Sequence, residues 1–383
     1  MKKLALFVVF IPSIAMALTY NSSSFHEKLS TITTPEKTLS LSVGIGSGAF
    51  HRQSDPADVF YTVSDRGPNI DCGESSKILD LSYCSKGKIF PIPNFAPTIY
   101  RLQLSENNKS SAKILDKIPL KTQSGKLASG ISNPNTETAY DINKNLLKDD
   151  VNGFDTEALV VTRTGEFYLA DEYGPSIIYA DQTGVIKNRF VPKGVKSELN
   201  GADYTVTENL PAELRNRQLN RGFESLALSR DEKTLYFMLQ SPYNSGSRTI
   251  TLYSMDIQSQ TINGQWLYEL DTPDTFVKDN TKKARIQNDV KISEIATIGD
   301  NELIVLERIS KTTKFYKIKL EPNTTEKTVN KELIVNTDDL DKFPTKIEGL
   351  AIISPQEWIL VNDNDFAIEG DKTHIIRLLL QDK

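Results

Sequence analysis

The chain has 383 residues, 45 basic against 50 acidic side chains, a formal net charge of -5, two cysteines and three histidines. That balance, without a concentrated basic stripe, argues against nucleic acid as a partner. The sequence has no H-E-x-x-H, no C-x-x-C pair, no Gly-rich phosphate loop and no G-x-S-x-G elbow, so the common zinc, nucleotide and serine-nucleophile chemistries have nothing to stand on.

The first residues, MKKLALFVVFIPSIAMA, place Lys2 and Lys3 before an apolar run, Leu4 to Ile14, and an A-x-A site at Ala15–Ala17. This is the pattern of a secretory signal peptide. The apolar run is too short to span a bilayer. Residues 1–17 are read as the signal and 18–383 as one domain, exported to the periplasm or beyond the cell, with no membrane span and monomeric. Cleavage after Ala17 leaves 366 residues and, with two lysines gone, a net charge of -7. In an oxidising compartment Cys72 and Cys84, in DCGESSKILDLSYC, are expected to form a loop-stapling disulfide.

Further along, GFDTEALVVTRTGEFYLADEYGP (Gly153 to Pro175) holds two apolar runs around a tight TRTG turn, with Asp155 and Glu157 before the first and Asp171 and Glu172 after the second. Short apolar runs bounded by turn residues predict an antiparallel hairpin, which brings the acids to one end. The unit recurs. Glu224 opens FESLALSRDEKTLYFMLQSP, Glu294 and Glu307 bracket ISEIATIGDNELIVLERIS, and Glu348 and Asp363 bracket IEGLAIISPQEWILVNDNDF. A looser first copy, SGAFHRQSDPADVFYTVSDRGPN, has Ser47 in the Glu position and Asp65 at the far end.

Further strand-like runs follow each hairpin, giving four antiparallel strands per unit, which predicts an all-β β-propeller. Five blades are recognisable and a sixth has room in the irregular stretches. The last unit lacks a fourth strand. KLSTIT or TLSLSV near the N-terminus is expected to supply it and close the ring. Residues 121–154, 194–221 and 272–291 read as loops over one face.

In a closed ring Asp65, Glu157, Asp171, Glu224, Glu294, Glu307, Glu348 and Asp363 converge on one funnel. Hard oxygen ligands in that number suit Ca²⁺, which also relieves their repulsion. Arg66 and Arg308, directly after funnel acids, and Arg221 are placed to hold a phosphate or to pair with those acids. Of the histidines only His51 lies near the funnel, where a solvated loop position is the favoured reading. Metal-assisted hydrolysis remains, with Glu157 taking a proton and Arg66 and Arg308 binding charge.

The ordered set YTVSDRGPN, GFDTEALVV…GEFYLADEYGPSI, NRGFESLALS…LQSP, ISEIA…LIVLERI and KIEGLAI…VNDNDF resembles the secreted phytase-like family, also described as esterase-like activity of phytase proteins. The resemblance runs from about residue 40 to the C-terminus. It implies an exported β-propeller hydrolase, similar in general design to β-propeller phytases, which use several Ca²⁺ ions to cleave phosphate esters. It also implies that Glu157, Asp171, Glu224, Glu294, Glu307, Glu348 and Asp363 stand where the family carries its acids. A departure is VNDNDFAI, where Asn362 and Asn364 accompany the acids; Asn ligands are common in propeller lactonases. The substrate is therefore expected to be a small phosphate ester, with a carboxylic ester or lactone, or a non-catalytic propeller holding structural calcium, as the alternatives.

Overall fold

The computed structural model describes residues 17–105, 111–321 and 325–381. The expected signal peptide, apart from Ala17, lies outside the described residues. The chain is mostly β and is divided among several sheets. Five sheets each begin with a hairpin of the predicted kind. The first comprises Gly48–Phe50, Val59–Val63, Thr98–Leu104 and Ala112–Pro119, each strand antiparallel to the next. The second comprises Thr156–Val161, Phe167–Asp171, Ser176–Ala180 and Ile186–Pro192, with Thr205–Leu210 added in parallel. The third runs Phe223–Leu228, Thr234–Leu239, Thr249–Asp256 and Thr261–Glu269, again with a parallel addition, Thr325–Thr328. The fourth holds Lys291–Gly299, Glu302–Arg308, Thr313–Lys319 and Lys331–Asn336.

The fifth sheet joins the two ends of the chain. Ile347–Ser354, Glu357–Asn362 and Thr373–Gln381 are followed in space by Ala17–Phe25, which pairs with the last strand from Ala17–Gln381 to Phe25–Thr373. An N-terminal strand does complete this sheet, but neither sequence candidate is that strand. Lys28–Thr33 and Thr38–Ser42 pair with each other instead. The run ALTYNSSSF is polar enough to pass for a leader junction, yet Leu18 and Tyr20 pack against the cluster containing Phe343, Leu378 and Leu380. Another small sheet, of Ile70–Asp71, Lys88–Phe90 and Ala139–Asp141, lies beside the Cys72–Cys84 disulfide.

The first strands of the five sheets pack on one another in the order first, second, third, fourth, fifth and back to the first. Small side chains make this approach possible. A Cβ on Gly48 would stand 2.8 Å from the Cα of Ala158 on the next sheet. At one end of these strands a cavity of about 350 Å³ is lined from all five, by Phe50, Val161, Leu228, Ala296 and Leu350 among others. His51 lines this end too, its Nδ1 2.8 Å from the Val59 carbonyl, so it is far from the acids and unavailable to them as a base.

The three irregular stretches dock at the opposite end. Glu137 pairs with Arg66, Arg221 donates to Gln240, and Asp279 accepts from the backbone of Ser310, Lys311 and Thr312. No helix among the described residues is long and apolar enough to cross a membrane.

The terminal strand gives a stability test. A chain starting at His26 leaves the Thr373–Gln381 ladder open and uncovers the packing of Leu18 and Tyr20. Its melting temperature should fall by on the order of 5 °C or more. An unchanged melting curve by circular dichroism would show that the pairing contributes nothing.

Candidate functional site

The acids are aimed by an irregularity shared by the inner strands. In the second sheet Thr156 pairs with Asp171 and Ala158 with Ala170, so Glu157 is passed over. Glu224 is skipped in the same way between Phe223 and Ser225, and Glu348 between Ile347 and Gly349. Such a bulge bends the strand and re-aims the extra side chain. In the fourth sheet the skipped residue is Ser293, because Ile292 pairs with Glu307 and Glu294 with Leu306. Glu294 is therefore not the counterpart of Glu157. Its carboxylate is buried among the inner strands, where Oε1 accepts from the backbone of Ile295 and, at 3.4 Å, of Leu226. The signal was present: Ala158-Leu159, Ser225-Leu226 and Gly349-Leu350 follow their acids, and Glu294-Ile295 follows Ser293 in the same frame.

The second strands of these hairpins need a one-residue correction as well. Backbone pairing at the rim joins Asp155 with Glu172, Gly222 with Gln240, Lys291 with Arg308 and Lys346 with Asp363. Asp65 stands two residues beyond Val63, as Glu172 stands two beyond Ala170. The rim positions are therefore Asp65, Glu172, Gln240, Arg308 and Asp363. Side chains alternate along a strand, so Asp171 and Glu307 point the other way. Asp171 accepts from Ser176, from the buried Arg189 at 2.6 Å and from the Asp155 backbone. Glu307 accepts from Tyr268, Lys331 and the Asp271 backbone. Each accepts three hydrogen bonds from protein donors, with both oxygens engaged. Glu348 stays near the rim but is paired with Arg308.

Three carboxylates do converge. One oxygen each from Asp65, Asp155 and Glu157 lies within 4.8 Å of the other two. Asp155, noted in the sequence beside Glu157 but not chosen as a ligand, is fully buried. Burial, with Asp155 next, pushes the Asp65 carboxyl up to about 8. Burial raises Glu157 well above the ordinary range, and Asp155, Glu172, Asp65 and Glu224 add to it. Glu172 is raised in the same way, by burial and then by Asp155 and Glu224. Asp363 is lifted by burial and by Asp365.

The donor set fits a hard cation. Glu172 Oε1 and Glu224 Oε2 are buried without a hydrogen-bond partner, and Asp155 Oδ2 has only the ion pair with Arg66, at 2.7 Å. Orphaned buried oxygens of this kind are costly unless a cation or proton answers them.

The basic groups divide into two kinds. Arg66 is buried, with Nη1 2.8 Å from Glu137 and Nη2 2.7 Å from Asp155, 3.4 Å from Glu172 and bonded to Asn220. Its guanidinium lies over the Tyr173 ring, whose hydroxyl donates to the Gly130 carbonyl. Arg308 spends Nε on Ser293, Nη1 on the Ile309 carbonyl and Nη2 on Glu348. Both arginines are bound by protein groups. Lys291 and Arg221 are more accessible. Burial, with Arg308 beside it, brings the Lys291 ammonium down to about 8. Sequence reasoning overlooked Lys291, which precedes the apolar run by one residue and reads as an ordinary surface lysine.

The chain belongs to the Phytase-like family, esterase-like activity of phytase, whose model matches residues 44–366. An uncharacterized secreted protein of Arthroderma benhamiae is 31% identical over 105 residues, 24% of this chain and 20% of that protein, so the match spans a fifth of the relative's length. A putative 6-phosphogluconolactonase from Bacteroides uniformis is 12% identical, with a TM-score of 0.37 over 85% of this chain and 81% of its own. A luciferin-regenerating enzyme is 11% identical, with a TM-score of 0.38 over 88% and 91%.

The raised carboxyls have a signed consequence. In the folded, cation-free protein Asp65 keeps its proton up to about pH 8, whereas an unfolded Asp loses it near 3.8. Groups of this kind favour the native state at acid pH, and their contribution is lost as pH rises through the folded pKa. With chelator, the melting temperature should fall between pH 4.5 and 8. Asp181 and Asp271, lowered to about 2, act below this window. Calcium should flatten the fall, since it takes the place of the protons. Equal slopes with and without calcium would contradict a cation on these acids.

Proposed function

We propose that the protein is an exported, calcium-dependent hydrolase of ester bonds. In this reading the five sheets are the blades of a propeller, four antiparallel strands each plus additions, closed by Ala17–Phe25. The reaction takes place in the acidic funnel at the loop-covered end. The observation that carries the reading is the meeting of Asp65, Asp155 and Glu157, with Glu172 and Glu224 acting on Glu157 from beside them and each keeping a buried oxygen without a partner. Asp65, Asp155 and Glu157 would hold the cation, with Glu172 and Glu224 within reach of it. Calcium, when bound, would neutralise these acids and polarise an ester or phosphoryl oxygen. Family membership supports hydrolysis.

The protein's own residues have distinct tasks. Arg66 brackets Asp155 and Glu172, fixing the buried acids with its charge rather than offering it to substrate. Arg308 braces Glu348 and Ser293. Glu157, partly exposed at its bulge, is the group placed to take a proton from an attacking water. Lys291 and Arg221 are left to meet a negative charge on the substrate.

A phosphate ester is the first substrate class. The tying up of Arg66 and Arg308 favours a second, a carboxylic ester or lactone, whose carbonyl needs no cationic clamp. The test uses the mature protein with phytate in one arm and p-nitrophenyl acetate and a γ-lactone in the other, each in calcium and in chelator. Calcium-dependent turnover of one class, lowered at least a hundredfold by Glu157→Gln and about tenfold by Lys291→Met for phytate alone, is the expected result. Turnover that survives chelation, or that Glu157→Gln leaves intact, would sink the reading. No turnover in any arm would leave a ligand-binding propeller with structural calcium.

A further inference from the structure

Beside the Glu172–Tyr173–Gly174 turn lies a second cavity, of about 320 Å³. Its floor is electrostatically closed. Arg189 is bound to Asp171, Ser176, Tyr204 and Asn133, and Asn133 donates to the carbonyls of Asp150 and Gly153. The wall is not closed. Arg215 and Arg217 line it, and among the described residues neither forms an ion pair. Arg217 gives Nη2 to the Tyr173 carbonyl, while its Nε is buried without a partner. The acid on this wall is Glu198; Asp171, close by, is occupied by Arg189. Gly194, at φ +91°, leaves room for Arg215 to lie along the backbone, since a Cβ there would come within 2.6 Å of Nη1.

A guanidinium cannot shed its proton to escape desolvation, so a half-buried one without a carboxylate is stabilised by an anion from solution. Burial lowers the Arg217 pKa, and Asp171, Glu172 and Glu198 only partly offset this. The volume is at the lower end of what small ligands occupy.

The geometry points to an oxyanion site in this cavity, in which Arg215 and Arg217 hold a phosphate or carboxylate group of a small molecule by charge-assisted hydrogen bonds. It is separate from the calcium funnel. Tyr173 stands between the two, with Arg217 on its carbonyl and Arg66 over its ring. The site therefore takes either a distal anionic group of a substrate lying across the turn or an effector.

The test is calorimetric titration of the chelator-treated mature protein, first with inorganic phosphate and then with malonate. Without calcium or turnover, its outcome is independent of the hydrolase reading. At least one anion should bind, and the tighter of the two identifies the group. Arg217→Gln should weaken that binding tenfold or more. Because Arg217 also holds Tyr173, the exposed Arg215→Ala serves as the second variant, with a several-fold loss and an unchanged melting temperature. Failure of both anions to bind, or a loss caused by Lys291→Met but not by Arg215→Ala, overturns the assignment.

Discussion

The acidic rim is governed by one electrostatic constraint. Asp65, Asp155, Glu157, Glu172 and Glu224 share a small, largely buried space with Arg66 as their buried counter-charge. Two carboxylates about 5 Å apart repel by roughly 3 kcal/mol at an effective dielectric of about 20, and several such pairs act together here. The fold meets this load with Arg66, with protons and, in the proposed holoprotein, with a divalent cation. The surrounding arrangement follows from that need. Tyr173 supports the guanidinium face, the 121–154 loop brings Glu137 and Gly130 to it, and Asn220 arrives from the 194–221 loop.

The scaffold tolerates such a rim because its stability comes from elsewhere. Large apolar clusters pack neighbouring sheets together, and the inner strands meet through small side chains such as Gly48 and Ala158. Polar pairs away from the rim are closed. Asp171 with Arg189, and Glu307 with Lys331 and Tyr268, hold strands within and between sheets. The same carboxylate chemistry therefore serves two purposes, depending on which side of a strand it occupies. Residues with all their donors and acceptors matched to protein are structural. At the rim, Glu172 and Glu224 each keep a buried oxygen that no protein donor meets.

Much of this was legible in the sequence, and the misplaced acids share one cause. The five hairpins, their turns and most later strands follow from apolar runs and turn residues, and the Cys72–Cys84 bridge from the count of cysteines. Asp65, Glu157, Glu224 and Asp363 lie toward the end of the hairpins where the sequence places them, because hairpin ends meet. Asp171 and Glu307 were misplaced by one residue, because a bulge on the first strand shifts the partner that reaches the rim and spacing alone does not show it. Glu294 stands one residue past the bulge, which holds Ser293. The closing strand was missed because ALTYNSSSF alternates weakly and gains its meaning from a partner 348 to 364 residues away in sequence. Lys291, Arg215 and Arg217 carried no local signal at all, since their significance lies in which neighbours they lack.

The most direct measurement is a calorimetric titration of calcium into the chelator-treated protein, comparing Asp155→Asn with Glu307→Gln. If the rim is a cation site set by the bulge register, the wild type binds calcium and Asp155→Asn weakens it at least tenfold. Glu307→Gln, on the opposite face of its strand, leaves the affinity unchanged. Equal losses from both variants, or no binding by the wild type, would contradict the account.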